Sequence, residues 1–558
     1  MASPMNLKFN IAEQSLSYHG PKKTFDYYDE KISSFNQRHH EVLNQYDIRL
    51  KNLTINTLNG KILNNSNLEV FRSKQLRQAV ILAAALPAAA TALTGLGAYK
   101  KYPKEKQTKE LKNQIKRAND RTSAQVMAEV LQMTTDTLDR GEEVIIESAI
   151  TEGVRVKPGV EVGGNPTIAV GTLFGKTEHR EVYGRGTPAY VTQLSMGSDV
   201  IDGTTKSAMG LHSSLTALFV TESHVKRHLP DIYVQRWMAG VPFEDFNPRE
   251  TSIKEAAQAI ARAYGMKNPS ELTAFLLERP RHKLVFEELN KMGICTPFDQ
   301  DGDLFPGLLL GQPGLEFPNG KGLMSMIGEI GGSAEWAVGV LPLVWRGGHA
   351  LGMLTSQSSL TRKDLSPEDL WKERFHYTED EFMAIQDARF ERKSYFTIDD
   401  ILAKPFAAGI SAFGAISDNL FYPELKGVHV GPDGDSFIVN VLIINSLGVT
   451  EHWNMEFRCR KDLETSVQRM CSPKDSLLGL EGDELEKAIA AMLEHKETAE
   501  RYRLFFANEY YPAFIPVGNR KVILERSMES LIQRGAFNAQ DREIVNITRK
   551  HYPMWFTE

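Results

Sequence analysis

The stretch that decides the fold is YVTQLSMGSDVIDGTTKSAMG, residues Tyr190–Gly210. Its first half is a β-compatible run that ends in two carboxylates three residues apart, Asp199 and Asp202, and Gly203 and Thr204 follow at once. At a strand end this spacing can direct both carboxylates to one point, and Mg²⁺ and Mn²⁺ bind such oxygen ligands. The same residues also suit a polar turn followed by a capped helix. The local sequence therefore leaves a metal site and a structural turn both open.

The composition is typical of a globular protein. Of the 558 residues, 42% are hydrophobic and 24% charged, which suits one large or two smaller domains with appendages. The net charge of -6 provides no strongly basic field for nucleic acid or an anionic membrane. The three cysteines are too few for a disulfide framework and lack the spacing of a zinc site. Because the first residues also lack the apolar core of a secretory signal, we expect a cytoplasmic protein.

Short apolar runs alternate with helical patterns along the middle of the chain. Apolar residues at helical spacing predict one helix through Ala124–Leu131. Five runs predict strands: Val144–Ile146, Thr216–Val220, Thr273–Leu277, Leu323–Ile327 and Ser436–Ile444. The alternation predicts a layered α/β architecture, and beyond about residue 463 the pattern becomes helical. Residues 1 to about 70 show weak periodicity and suggest an added arm of helical type.

The run AVILAAALPAAATALTGLGAY, Ala79–Tyr99, is uncharged and long enough to cross a membrane. It consists mostly of Ala, Gly and Thr and contains Pro87, so that its insertion free energy is modest compared with a Leu-rich span. A tightly packed helix inside a soluble protein is the preferred interpretation, with membrane association as the alternative.

Several segments together resemble one enzyme family. DVIDGTT resembles the D-P-I-(D/E)-G-T signature of the lithium-sensitive phosphatase superfamily. The segments LTAFLLERPRHKLVFEELNKMGICTPFDQDGD (Leu272–Asp303) and IGEIGGSAEWAVG (Ile327–Gly339) are similar to the K-P-R-H, D-G-D and I-G-G-A-P-E-G motifs of its class II (GlpX-type) fructose-1,6-bisphosphatases. HLPDIYVQRW, KRANDRTSAQVMAEVL and ALTGLGAYKKY resemble further segments of that family, in the same order. The last of these favours a buried first helix.

The resemblance implies an α/β layered sandwich of the fructose-1,6-bisphosphatase/inositol monophosphatase type. It divides the chain into an N-terminal extension (1–75), a phosphatase core (76–462) with subdomains of about 76–265 and 266–462, and a C-terminal helical appendage (463–558). It implies hydrolysis of a sugar phosphomonoester, with fructose 1,6-bisphosphate as the first candidate and sedoheptulose 1,7-bisphosphate or another phosphorylated metabolite as alternatives. A homo-oligomer is compatible with it.

The same resemblance also implies which residues of this chain form the site. The resemblance implies two Mg²⁺ or Mn²⁺ ions that clamp the phosphoryl group and activate water. The implied metal carboxylates are Asp120, Glu147, Asp199, Asp202 and Glu335. The implied substrate contacts are Asp202, Gly203, Thr204, Tyr233, Arg279, Arg281, Asp301, Asp303 and Gly332.

Two departures bear on catalysis. The signature proline is Val200 here. After Glu147 the chain reads ESAITEG where the family has E-G-E-I-D-E, and an ungapped match puts Thr151 in place of the aspartate that activates water with the motif threonine, Thr204. Either Glu152 takes over that role, or the protein is a catalytically silent relative that uses the fold to bind a ligand or partner. Histidines such as His282 are expected to be structural.

Overall fold

The computed structural model describes residues 15–58, 71, 73–153, 166–184, 186–227, 229–387, 395–510 and 539–553. The strands in these residues are β1 (Ser17–Tyr18), β2 (Lys23–Asp26), β3 (Ile48–Thr57), β4 (Val144–Thr151), β5 (Leu173–Phe174), β6 (Thr192–Asp202), β7 (Leu215–Thr221), β8 (Tyr233–Ala239), β9 (Leu276–Leu277), β10 (Phe298–Asp299), β11 (Leu315–Glu316), β12 (Ser325–Gly332), β13 (His349–Thr355), β14 (Gly409–Ala415), β15 (His429–Val430), β16 (Ser436–Asn445) and β17 (Thr450–Cys459).

The α-helices in the same residues are α1 (Asp29–Arg38), α2 (His40–Gln45), α3 (Lys74–Gly95), α4 (Lys109–Asp136), α5 (Thr177–Glu181), α6 (Thr204–Met209), α7 (Ile253–Ala263), α8 (Lys283–Lys291), α9 (Leu304–Leu309), α10 (Ser333–Trp345), α11 (Gln357–Leu360), α12 (Pro367–Glu373), α13 (Glu379–Asp387), α14 (Ile398–Ile401), α15 (Leu463–Met470), α16 (Pro473–Leu477), α17 (Gly482–Glu494), α18 (Lys496–Tyr510) and α19 (Ala539–His551).

One mixed sheet organises the fold. Its strand order is β2-β3-β17-β16-β14-β7-β6-β4-β5, with β15 beside β16. β4 runs parallel to β6, while β7 pairs antiparallel with β6 on its other side. A smaller antiparallel sheet has the order β12-β8-β13. Helices pack between and around these sheets, so the predicted α/β layered fold is confirmed.

Helix α3 lies against the main sheet instead of presenting an apolar surface. It has the length and composition of a membrane span, yet most of it is buried inside the protein. Its backbone approaches the sheet closely, because the Thr216 hydroxyl donates to the Ala84 carbonyl at 2.7 Å. A Cβ on Gly414 would lie 2.2 Å from the same carbonyl oxygen. The small residues of this helix therefore serve close packing, which agrees with the preferred interpretation.

The N-terminal residues contribute to the main sheet as well as forming helices. β3 pairs along its whole length with β17, and β2 continues the sheet beyond it. Ile48, Leu50, Leu53 and Ile55 are buried and pack in the core. Sequence analysis missed this strand, because its apolar residues alternate with polar ones over a short run in an Asn-rich and Lys-rich context.

Two predicted strands are shorter or displaced. Only Leu276–Leu277 of the run Thr273–Leu277 forms a strand, and Thr273 and Ala274 make isolated bridges instead. β12 begins at Ser325, two residues after the predicted start, and extends to Gly332. The helical pattern after residue 463 is confirmed by α15 to α19.

Candidate active site

The two carboxylates of the opening motif lie at the end of β6. Residues three apart on a regular strand point to opposite faces, but the register against β7 shifts between Asp199 and Asp202. Such an irregularity re-aims a side chain. Gly203 then adopts a left-handed conformation with φ 79°, and α6 begins at Thr204. The bulge and the glycine turn explain how both carboxylates serve one site.

Two groups of three carboxylates lie at this point. Glu152, Asp199 and Glu335 offer oxygens that all lie within 4.8 Å of one another. Asp202 and Asp303 form the second group with the same Glu335, again within 4.8 Å. The two groups thus share one carboxylate, as a pair of adjacent cation sites would.

The donor set fits divalent cations. Asp199 Oδ2 and both oxygens of Asp202 are buried and accept no hydrogen bond from the residues that the structure describes. Burial of an anionic oxygen without a partner is costly, and a cation removes that cost. Burial and the neighbouring carboxylates raise the pKa of Asp199, Asp202 and Glu335 well above its ordinary value. All the donors are carboxylate oxygens, which suits hard ions such as Mg²⁺ and Mn²⁺.

Asp120 reaches the same place from helix α4. Its side chain is 2% exposed, and its Oδ2 accepts no hydrogen bond within the described part of the chain. Burial raises the pKa of Asp120 to about 7, the nearby Glu152 acts in the same direction, and a hydrogen bond with Thr204 opposes them. Asp120 therefore lies beside the first carboxylate group and contacts the motif threonine.

Glu147, in contrast, lies outside the carboxylate groups among the described residues. Its Oε2 accepts a hydrogen bond from the Tyr183 hydroxyl at 2.7 Å. It is five residues before Glu152 on β4, roughly 15 Å away along an extended strand. Among the described residues, Glu152 and not Glu147 therefore lies with Asp199 and Glu335.

This shift moves the family motif along the chain. Matching Glu152–Gly153 to the first two letters of E-G-E-I-D-E would move the aspartate position from Thr151 to Val156. The Thr151 hydroxyl meets Thr167 Oγ1 at 2.8 Å, and both side chains are buried. A β-bulge lies between Ser148 and Ile150 and inserts an extra residue into β4. An ungapped sequence match takes no account of such an insertion, so it can assign the residue at the strand end wrongly.

A matched pair of substitutions tests this placement. Glu152→Gln should weaken Mn²⁺ binding by at least about tenfold, because it removes one of the clustered carboxylates. Glu147→Gln makes the same chemical change on the same strand and should leave Mn²⁺ affinity within about twofold. Calorimetric titration of both variants with Mn²⁺ measures the difference. Equal losses in the two variants would contradict the placement of Glu152.

Sequence analysis missed a buried arginine beside the second carboxylate group. Arg236, on β8, is 1% exposed and lies 3.2 Å from Asp303 and 2.9 Å from Glu329. It also donates to the Gly332 carbonyl at 3.2 Å. A Cβ on Gly331 would lie 1.8 Å from Asp303 Oδ2, so only glycine leaves room for this ion pair. The available signal was an arginine in a run that, apart from the adjacent Gln235, is apolar or aromatic.

The two implied phosphate arginines have different environments. Arg279 is 37% exposed and pairs with Asp301 at 2.7 Å. Arg281 is buried, donates through both Nε and Nη2 to the Ile330 carbonyl, and stacks on Tyr233 with 4.6 Å to the ring centre. Arg279 can therefore turn towards a ligand, whereas Arg281 holds Tyr233 and the end of β12 in place.

The remaining implied contacts line the same region. Gly302 has φ +73°, and a Cβ there would lie 3.2 Å from both Asp202 oxygens, so the D-G-D turn packs directly on the motif carboxylate. Gly332 donates its backbone N–H to Glu335 Oε2 at the start of α10. Lys206, which sequence analysis did not select, lies on α6 and forms a buried ion pair with Asp299 at 2.5 Å.

His282 is structural, as expected. Its Nδ1 contacts the Leu277 carbonyl at 2.7 Å, and the Ile330 N–H donates to its Nε2 at 2.8 Å. These partners hold the ring neutral, and burial lowers its pKa well below the ordinary value.

The middle of the chain matches a known family. Residues 180–412 match the family described as bacterial fructose-1,6-bisphosphatase, glpX-encoded. The resemblance to the class II fructose-1,6-bisphosphatases is confirmed. The matched range contains the motif carboxylates, Arg236 and Glu335, while Asp120 and Glu152 lie before it.

Individual proteins named as class 2 fructose-1,6-bisphosphatases also match part of the chain. A protein of Synechococcus sp. (strain JA-2-3B'a(2-13)) named D-fructose 1,6-bisphosphatase class 2/sedoheptulose 1,7-bisphosphatase is 27% identical over 169 residues, 29% of this chain and 45% of the relative. Fructose-1,6-bisphosphatase 1 class 2 of Escherichia coli (strain K12) is 28% identical over 145 residues, 26% of this chain and 41% of the relative. The chain thus spans less than half the length of these relatives.

Proposed function

We propose that the protein is a metal-dependent phosphatase that hydrolyses a sugar phosphomonoester. The observation that carries the proposal is the pair of carboxylate groups sharing Glu335, set beside the Gly203–Thr204 turn at the end of β6. Two divalent cations, Mg²⁺ or Mn²⁺, would supply activation of water and stabilisation of charge on the phosphoryl group. We place the phosphatase core in residues 76–462 and the protein in the cytoplasm. Its function would require neither nucleic acid nor a membrane. Its assembly would be at most a homo-oligomer.

The residues of the chain have distinct proposed roles. Glu152, Asp199, Asp202, Asp303 and Glu335 hold the cations. These oxygen ligands come from four different segments and would fix the positions of both ions, and such orientation is a large part of catalysis by phosphoryl-transfer enzymes.

Water activation is assigned to the Thr204 hydroxyl and its carboxylate partner. That hydroxyl donates to the Ile201 carbonyl at 3.1 Å, and its rotation towards Asp120, whose pKa it lowers, would offer a route for its proton. The carboxylate that supports Thr204 is therefore Asp120, while Glu152 serves as a ligand.

The most suitable substrate is fructose 1,6-bisphosphate, with sedoheptulose 1,7-bisphosphate second. Both relatives' names support this choice, and the site has cationic groups beside the carboxylates. Arg279 is exposed enough to reach a distal phosphate, and its planar guanidinium donates two hydrogen bonds to such a group. Asp301, its present partner, would then be released to accept a sugar hydroxyl.

Phosphate release tests the proposal. Purified full-length protein with Mn²⁺ or Mg²⁺ should release phosphate from fructose 1,6-bisphosphate faster than from fructose 6-phosphate, and EDTA should abolish the release. The panel should include sedoheptulose 1,7-bisphosphate and other sugar phosphates. Absence of metal-dependent release from every member would overturn the enzymatic function.

The second candidate is a silent relative that binds a cation or ligand without turnover. The observation that favours it is the loss of the motif carboxylates after Glu152–Gly153, where Val154 and Val156 stand. Loss of a general base costs about 10²–10⁴ in rate. Tight Mn²⁺ binding together with no phosphate release from the whole panel would select this candidate.

A further inference from the structure

Helix α18 of the C-terminal region lies along α4 and contacts it through a buried ion cluster. Glu509 is 4% exposed and receives two hydrogen bonds from Arg121, at 2.8 Å and 2.9 Å. Lys474 adds a third at 2.9 Å, and Arg117 lies 3.6 Å away. Although burial acts in the opposite direction, these cations hold the pKa of Glu509 well below its ordinary value. Glu509 is therefore a charged group that joins α18 to α4.

The neighbouring residue on α18 reaches a second segment. Asn508 Nδ2 donates to the Ala124 carbonyl on α4 at 3.4 Å, and the Asn508 carbonyl accepts from the Thr167 N–H at 3.2 Å. Thr167 in turn meets Thr151 through their hydroxyls at 2.8 Å. Thr151 immediately precedes Glu152, so that one turn of α18 contacts α4 directly and the end of β4 through a single intermediate residue.

These two segments carry the site carboxylates that lie outside residues 180–412. Asp120 is adjacent to Arg121 in the sequence, and Glu152 is adjacent to Thr151. Because both carboxylates face others of like charge, their own interactions push them apart when no cation is bound. Contacts that hold α4 and the end of β4 in place would oppose that repulsion.

We propose that Asn508 and Glu509 of α18 are positioning residues for the metal site, which hold Asp120 and Glu152 in the geometry that binds divalent cations. This inference rests on the proposed function, since it assigns a role to the C-terminal region in that same site. The C-terminal appendage is then part of the active unit, although it lies outside the matched family region. Glu509 acts through Arg121, and Asn508 acts through Thr167.

Mn²⁺ titration of full-length variants tests the role of Glu509. Glu509→Gln keeps the shape of the side chain and removes the charge that pairs with Arg121. It should weaken Mn²⁺ binding at least about tenfold, the usual cost of losing an outer contact that orients ligands. The matched control is Glu500→Gln, on the same helix, whose carboxylate pairs with Arg180 at 3.0 Å and Arg503 at 2.7 Å. Its Mn²⁺ affinity should stay within about twofold of the unaltered protein.

A double-mutant cycle separates positioning from general stability. If Glu509 acts through Arg121, then Glu509→Gln should weaken Mn²⁺ binding much less in an Arg121→Met background than in the unaltered protein. Thermal unfolding of each variant without metal shows whether the protein is folded at the titration temperature. A merely structural role would lower the melting temperature and leave the Mn²⁺ affinity of the folded protein unchanged.

The second contact has its own variant, which covers the case in which Glu509→Gln does not fold. Thr167→Val preserves the shape of the side chain and removes the hydroxyl that meets Thr151, and it should also weaken Mn²⁺ binding. Unchanged affinity in folded Glu509→Gln and Thr167→Val would overturn the positioning role and leave the metal site standing. If the unaltered protein binds no Mn²⁺, both the metal site and the positioning role are overturned.

Discussion

Replacing Asp202 by Asn should lower metal-dependent phosphate release by at least about 10³-fold, or about 4 kcal/mol of transition-state stabilisation. Asp202 lies in the second carboxylate group, and both its oxygens are buried and accept no hydrogen bond from any described residue. An amide oxygen is a weaker ligand, and its NH₂ group repels a cation. Steady-state phosphate release with Mn²⁺, from fructose 1,6-bisphosphate, measures the effect.

The same substitution should stabilise the metal-free protein. Burial and the neighbouring Asp303 raise the pKa of Asp202, which means that its charge is unfavourable in the folded state without a cation. Urea unfolding in EDTA at pH 8 should therefore give a higher midpoint for Asp202→Asn than for the unaltered protein. Activity and stability that fell together would show that Asp202 is an ordinary structural residue.

The stability of the metal-free protein should fall as the pH rises. An acid whose pKa is higher in the folded than in the unfolded state holds its proton more tightly when folded, so stability is lost between the two pKa values. For Asp120 that window runs from 3.8 to about 7. Between pH 5.5 and 8, Asp120 alone should cost about 2 kcal/mol of the free energy of unfolding. The raised pKa values of Asp199, Asp202 and Glu335 act in the same direction.

Mg²⁺ should reverse this trend, because binding requires the ionised carboxylates and releases their protons. The increase in melting temperature on adding Mg²⁺ should accordingly be larger at pH 8 than at pH 5.5. Asp120→Asn is the control, since it removes one titrating group and should flatten the pH dependence in EDTA. A metal-free protein whose stability is constant or rises over this range would contradict the assigned carboxylate environment.

Sequence reasoning succeeded where the signal is local. The run before Asp199, the glycine turn at Gly203 and a helix beyond it are all encoded within Tyr190–Gly210, and the structure shows each of them, although no side chain caps the helix among the described residues. The small-residue pattern of Ala79–Tyr99 likewise favoured a buried helix, because close packing on a sheet requires side chains without bulk.

Sequence reasoning failed where the position of a residue depends on register or on distant partners. Glu147 and Glu152 are both acidic residues of one strand segment, and a β-bulge between them decides which one reaches the site. Arg236 stood in the segment HLPDIYVQRW without an assigned role, and its role follows from Asp303 and Glu329, which arrive from other segments.

The sequence by itself determined the α/β class, the family resemblance and the Asp199–Thr204 motif at the centre of the candidate site. Only the tertiary structure decided which carboxylates join that motif, and that α18 contacts the segments carrying Asp120 and Glu152. The physical reason is that a metal site is a convergence of charges from separate elements. Their backbone paths, and not their sequence neighbours, set the distances between those charges.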